Sequence, residues 1–309
     1  MIEGEARVLV IAGPTASGKS AAALQKAQER EGKGGAVIIN ADSLQLYDGL
    51  PILTAQPSER DKRSVSHRLY AALAPQDSCD AVKWRGLALV EIREALARGV
   101  LPIVTGGTGF YLKALLEGFS PIPEIPDEVR LLGEELMDRV GVDAFFQVLR
   151  EEDPETASRL DPKNRQRLIR AWEIQTHTGK SLSYWQSLPK QPPAPDLHFD
   201  IHLILPEREA LYERCNRRFV EMIEQGGLEE VRHFDEEIEL GNIPAGAALT
   251  HALGVQPLRD YLHGEMDLDT AIFLAQNETR HYAKRQVTWF RHQMKTGSAR
   301  RLMLYLDKG

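Results

Sequence analysis

GPTASGKS, residues 13–20, decides the fold. It follows a short apolar run of β-formers, RVLVIAG (7–13), and opens a helix-favouring segment from Lys19 to about Glu31. A strand, a glycine-bounded loop with G-x-x-x-x-G-K-S spacing and a helix together predict a P-loop, whose amides and helix N-terminus surround anionic oxygens. Gly13 and Gly18 permit the tight backbone path, and Pro14, Thr15, Ala16 and Ser17 form the cradle between them. Lys19 adds a mobile positive charge, and the Ser20 hydroxyl is the expected ligand for Mg²⁺. A nucleoside triphosphate is the usual occupant of such a loop.

Outward from the loop, the pattern repeats. AVIINAD (36–42) reads as a second buried strand, RGLALVEIREALARG (85–99) as an amphipathic helix and VLPIVTGG (100–107) as a further strand. Alternating buried strands and helices predict an α/β fold, a P-loop NTPase-like parallel sheet flanked by helices. From Pro121 the texture changes. SPIPEIPDEVR (120–130) is proline-punctuated, and the polar stretch that follows favours helix without a convincing strand. KQPPAPD (190–196) reads as a stiff linker, and FDIHLIL (199–205) supplies another strand of the first sheet. The expected organisation is a core of 1–120 and 197–309 with an inserted all-helical lobe at 121–196. Helices are also expected over PEREALYERCNRRFVEMIEQGG (206–227) and from Leu268 to about Lys295.

The 309 residues suggest about two domains, and 42% hydrophobic content can build a sizeable core. No apolar stretch approaches the roughly 20 residues of a membrane helix, and MIEGEARVLVIAG lacks the basic flank of a signal peptide. A soluble, cytoplasmic protein is expected. Cys79 and Cys215 have no metal-ligand or redox spacing and read as reduced structural residues. Thirty-eight Lys and Arg against 45 Asp and Glu give a net charge of −7, which taken globally speaks against a polyanionic partner. Local charge is segregated, however. Thr279–Leu306 contains no acid, and carries Arg280, Lys284, Arg285, Arg291, Lys295, Arg300 and Arg301; RLDPKNRQRLIR (159–170) is a second basic run.

A P-loop hydrolase also needs a carboxylate at a neighbouring strand end to hold hydrated metal. The strand LPIV instead ends in Thr105, Gly106, Gly107 and Thr108. Asp42 is the carboxylate at a strand end, placed to share the crevice with the P-loop. There it can take a proton from an attacking group or assist a metal, unless it merely caps a turn with Ser43.

In order and approximate spacing, GPTASGKS, ADSLQLYDGL (41–50), TAQPS (54–58), HRLY (67–70), GGTGFYLKALLEG (106–118), DPKNRQRLIRAWEI (161–174) and TRHYAKRQVTWFR (279–291) resemble the tRNA dimethylallyltransferases. The resemblance spans about residues 8–292. In that family the P-loop holds the pyrophosphate of dimethylallyl diphosphate, so no second metal-binding acid is required. The implied reaction transfers the prenyl group to N6 of the adenosine 3′-adjacent to the anticodon, tRNA position 37. By resemblance Asp42 is the general base, Thr108 lies near the reacting groups, and Lys19 and Arg280 serve the diphosphate. Asp42, Ser43, Leu44 and Gln45 match the segment that meets the target base. Gln166, Arg167, Leu168, Ile169 and Arg170 match a tRNA-contacting stretch of the insertion, and Lys284 and Arg285 match the final motif. The implied partners are a tRNA anticodon stem-loop, dimethylallyl diphosphate and Mg²⁺; one copy of the chain suffices for one stem-loop, and no membrane is involved.

Gln56 stands where the family commonly has lysine, and Gly254-Val255-Gln256 departs from its aromatic-then-basic pattern. Other readings of the same residues are an adenylate isopentenyltransferase acting on free nucleotide, a P-loop small-molecule kinase and a non-catalytic RNA-binding module. The helical lobe and the basic segment favour RNA over free nucleotide, Thr105 speaks against the kinase, and the combination of Lys19, Ser20 and Asp42 speaks against a mere binding module. The aromatic residues of the last basic motif, Tyr282, Trp289, Phe290 and His292, are expected to serve the core rather than to stack on bases.

Overall fold

The computed structural model describes residues 6–190, 194, 196–294 and the backbone of 300–305. Lys295 and the side chains of Arg300 and Arg301 lie outside the described residues. The chain divides into two compact units, Met1–Leu116 with Ala194–Gly309, and Glu117–Pro193.

The first unit is built on six parallel strands: β1 (Ala6–Ala12), β2 (Ala36–Asn40), β3 (Ser66–Arg68), β4 (Leu101–Gly106), β5 (Leu197–Ile204) and β6 (Arg300–Tyr305). Their order is β3-β2-β4-β1-β5-β6. Residues of both parities on the central strands are buried, so each sheet face must be covered. Leu9, Ile11, Ile38 and Ile103 pack with Ala23 and Ala27 of α1 (Lys19–Gln28). Helices α2 (Glu59–Ser64), α3 (Ala81–Ala97) and α4 (Gly109–Glu117) follow in sequence, and Trp84 of α3, fully buried, donates its indole N–H to the Asn40 carbonyl at 2.9 Å. The chain leaves β1 toward β2 and reaches β5 on the other side, so the crevice at the carboxyl ends of β1 and β4 is the switch point where such folds bind ligands.

The second unit is helical: α5 (Asp127–Glu152), α6 (Pro154–Ala157), α7 (Arg165–Thr178) and α8 (Leu182–Ser187). Gly141 adopts φ 78° inside α5, so this element is two helices joined at a bend. Its core is Met137, Phe145, Leu149, Ala157, Leu168, Ile169 and Ala171. Asn164 caps α7 by accepting from the Arg167 amide. After β5 the chain forms α9 (Arg208–Glu224), α10 (Gly227–Glu239), α11 (Val255–Leu262) and α12 (Leu268–Gln293).

Strands β3 and β6 are absent from the sequence expectation. The first is only three residues, SHR, with two of them exposed. The second, RRLMLY, is short, opens on two arginines and lies at the opposite edge of the sheet, so it reads in sequence as the tail of a basic segment. Among the described residues no helix is long and apolar enough to cross a membrane, and Cys79 and Cys215 are free thiols.

Candidate active site

β1 delivers the P-loop to the crevice. A Cβ on Gly13 would come within 2.6 Å of the Ile204 carbonyl oxygen, so only glycine fits beside β5. Gly18, at φ 88°, begins α1 without any side-chain cap, which leaves the first amides of that helix for an anion. The Lys19 ammonium donates to the Pro14 carbonyl at 3.2 Å and so lies folded across the loop. The Ser20 side chain is exposed and makes no hydrogen bond among the described residues. Ser17 is buried, and its hydroxyl has no partner among the described residues.

Burial holds the Lys19 ammonium down to about 8; Asp42 pulls it back up and Arg218 pushes it further down. Arg218, on α9, donates its guanidinium to the Thr15 hydroxyl. Its own proton affinity is lowered by burial and raised by Cys215 and Asp42. Two cations share one low-dielectric pocket, with Asp42 acting on both and Glu221 on Arg218, and a polyanion laid against them would meet both charges. Cys215 packs against Ala16 and Ala283 beneath this pair, and burial pushes its thiol up.

The two turns that flank the loop are bonded to each other. Asn40, fully buried at the end of β2, accepts from the Asp42 amide at 2.8 Å and donates to the Asp42 carbonyl at 2.9 Å, fixing both sides of that residue. Thr108, in the turn after β4, donates its amide to the Ala41 carbonyl, and its hydroxyl accepts from the Ser43 amide at 2.9 Å. The Asp42 carboxylate accepts from the Leu44 amide. The Thr105 hydroxyl donates to the Ile11 carbonyl, so at the position where a hydrolase would place an acid this residue braces β4 against β1. Gln45 donates its amide to the carbonyls of Thr54 and Ala55. Both of its side-chain protons therefore hold its own loop, and only its side-chain oxygen remains to meet a base.

α12 closes the site. Gln286 is 6% exposed; it accepts from the Thr15 amide at 2.8 Å and donates to the Gly107 carbonyl at 2.8 Å. The Thr15 amide is thus withdrawn from the set of P-loop donors expected to face phosphate. A Cβ on Gly107 would lie 2.5 Å from the Gln286 amide nitrogen, so this bridge requires glycine there. Arg280 donates to Asn216 of α9 and to Asn277. Lys284 and Arg285 are exposed on the same helix, where with His281, Thr288 and Trp289 they line an open groove of about 460 Å³. Arg285 stacks over the Tyr282 ring at 5.6 Å. Of the aromatics expected in the core, Phe290 is fully buried, Tyr282 and Trp289 are half-buried, and His292 is exposed.

In the helical unit, Leu168 and Ile169 belong to the core, which corrects their assignment as RNA contacts: their side chains are consumed by packing on α5. Gln166 and Arg167 are exposed, and Arg170 pairs with the buried Glu173 at 3.0 Å. Arg167 has no acidic partner among the described residues. Val255 is fully buried and Gln256 bonds Asp260, so both serve α11.

Sequence reasoning missed Arg218, Gln286 and Asn40. Arg218 reads as one more cation in a charged helix, but its neighbours at Leu211, Cys215 and Phe219 are all buried; a cation one helical turn from that stripe was a detectable signal. Gln286 and Asn40 carry no charge and belong to no spacing rule.

The family model described as IPP transferase matches residues 45–293. The tRNA dimethylallyltransferase of Paramagnetospirillum magneticum is 49% identical over 93% of this chain and 88% of its own length. That of Rhodospirillum centenum is 46% identical over 93% and 89%. Among solved structures, the tRNA isopentenylpyrophosphate transferase of Bacillus halodurans is 30% identical with a TM-score of 0.64, covering 99% of this chain and 92% of that one. A eukaryotic dimethylallyltransferase caught acting on tRNA is 25% identical with a TM-score of 0.81, covering 96% and 73%. With its P-loop, its Asp42 turn and its closing helix carried on a chain that these relatives match almost end to end, the protein belongs to the IPP transferase family.

Proposed function

We propose that this protein is a tRNA dimethylallyltransferase, moving the prenyl group of dimethylallyl diphosphate onto N6 of the adenosine 3′-adjacent to the anticodon. The observation that carries the reading is the charge layout of the crevice: two desolvated cations, Lys19 and Arg218, on a P-loop whose neighbouring strand ends in Thr105 rather than an acid, with Asp42 opposite. Such a site binds a diphosphate and offers one carboxylate for proton transfer.

In the reaction, the N6 nitrogen forms a bond to C1 of the prenyl group, the C1–O bond breaks, and pyrophosphate leaves with the electron pair. Lys19, Arg218 and the uncapped α1 amides receive the growing negative charge on the leaving oxygens. Asp42 takes the proton released from N6, since an aromatic amine is a weak nucleophile until that proton is lost. The Asn40 bonds on either side of Asp42 hold the carboxylate toward the crevice. Thr108 fixes Ser43 beside it. Arg280, held by two asparagines, serves the diphosphate side.

A Mg²⁺ ion fits this site, because the free Ser20 hydroxyl together with diphosphate oxygens and waters meets the ion's preference for few protein ligands. When bound, it would neutralise charge on the leaving pyrophosphate. The three-residue cluster of potential metal ligands among the described residues, Asp235, Glu239 and His263, is on α10 and at the end of α11, and Asp235 already bonds Arg259.

The RNA is read as held by Lys284 and Arg285 on α12 and by Gln166, Arg167 and Arg170 on α7, with the target adenosine extruded to the Asp42 turn. We place the activity in the cytoplasm and assign it to a single copy of the chain. The test is incubation with Mg²⁺, radiolabelled dimethylallyl diphosphate and unmodified tRNA, with AMP in a parallel reaction. Label in the tRNA that disappears when the adenosine beside the anticodon is replaced supports the reading; label in AMP alone overturns it.

A further inference from the structure

Tyr70 has no part in the chemistry above, yet the backbone on both sides of it is strained. Leu69 adopts φ 61° and Ala71 φ 46°, so two side-chain-bearing residues flanking it occupy the left-handed region, which costs free energy in a residue with a Cβ. Such strain persists only where the surroundings impose it. Here they do: Asn40 donates to the Leu69 carbonyl at 2.9 Å, the Ala71 amide donates to Gln45, and the Ala72 and Leu73 amides donate to Leu46. The segment carrying Tyr70 is therefore sewn to the segment carrying Asp42, and one buried amide, Asn40, anchors both.

The side chain that results is half-buried. Its ring packs against the cluster shared by α1 and the sheet and stands edge-on to His67 at 5.5 Å. Its hydroxyl bonds to nothing among the described residues. Burial pushes the phenol up, and the Asp42 carboxylate, near enough to act on it, pushes in the same direction, so the group stays a protonated donor. Tyr70 and Asp42 follow the paired strands β3 and β2, Asn40 ties the two turns together, and no hydrogen bond joins the phenol to the carboxylate.

We propose that Tyr70 is a specificity-determining contact for the target base, donating its hydroxyl to a ring nitrogen of the adenine whose amino group meets Asp42. This rests on the prenyl-transfer reading. Adenine presents an amino donor with a ring acceptor beside it on either edge, N1 or N7. A carboxylate acceptor next to a phenol donor is the complement of that pair. Guanine would turn its O6 carbonyl toward the carboxylate, setting two acceptors against each other, and the site rejects it.

The test pairs Tyr70→Phe, which keeps the ring and its packing, with stem-loop RNAs bearing adenosine, 1-deazaadenosine or 7-deazaadenosine at the target position. The expected result is a fall in kcat/KM of about 10-fold for Tyr70→Phe on adenosine, the loss of one hydrogen bond, with dimethylallyl diphosphate affinity unchanged. The wild-type protein falls by a similar factor on one of the deaza RNAs, and Tyr70→Phe causes no further loss on that RNA. No loss, or an equal loss on all three RNAs, overturns the contact and leaves Tyr70 a packing residue. Failure of the wild-type protein to prenylate any of the RNAs overturns the reading beneath it instead.

Discussion

Binding of the diphosphate should draw a proton from solution above neutrality. Lys19 in the unliganded site is held to about 8, chiefly by burial. An anion laid against it restores the ammonium toward the ordinary lysine value of about 10.4. Between those limits the bound state holds a proton that the free state has lost, so affinity must fall as pH rises. At pH 9 only about one Lys19 in ten is charged in the free protein, and each further unit costs about tenfold in affinity until the bound value is reached. The fold itself responds in the opposite sense. An unfolded chain keeps the lysine proton up to about 10.4, so the stability of the unliganded protein gains from this residue as pH climbs from about 8. Calorimetry of dimethylallyl diphosphate binding in two buffers of different ionisation enthalpy measures the linked proton. Uptake approaching one per site at pH 9, near zero at pH 6.5 and absent in Lys19→Met is the expected pattern. Affinity that stays flat from pH 7 to 9.5 without proton uptake would refute the placement of Lys19 in a desolvated, anion-facing position.

Asp42→Asn keeps an acceptor for the Leu44 amide but loses the base; kcat should fall by about 10²–10⁴-fold with tRNA affinity little changed, as single-turnover rates and filter binding would reveal. Gln286→Leu leaves the Thr15 amide and the Gly107 carbonyl unpaired in a buried site; a stability loss of roughly 1–3 kcal/mol per group is expected by urea denaturation, with weakened diphosphate binding. Arg167→Ala should lower tRNA affinity and reduce the slope of log K against log salt by about 1, while an unchanged slope would return Arg167 to a solvated helix face.

The parts of the fold legible in the sequence are those with local cause. β1, β2 and β4 announce themselves as apolar β-rich runs because both of their faces are covered, and β5 by an alternation that matches its fully and half-buried sides. The P-loop is legible because phosphate binding fixes glycines at set spacing, and Asp42 because it follows a strand. What stayed hidden has its cause elsewhere in the chain. Thr15 bonds residues 203 and 271 positions away, through Arg218 and Gln286, and no periodicity encodes such a pairing. Leu168 and Ile169 show the converse error: a family motif marks a stretch, but helical geometry sends two of its five side chains into the core of α7 and α5.

The Gln286 bridge also orders the site in time. The P-loop is made by residues 13–20, whereas its last tie is made by a residue 271 positions later than Thr15. A nascent chain halted anywhere before α12 carries the whole phosphate-binding sequence with the Thr15 amide and the Gly107 carbonyl unclaimed. The final arrangement of the P-loop and of the turn after β4 therefore waits on residue 286, long after both segments have been made.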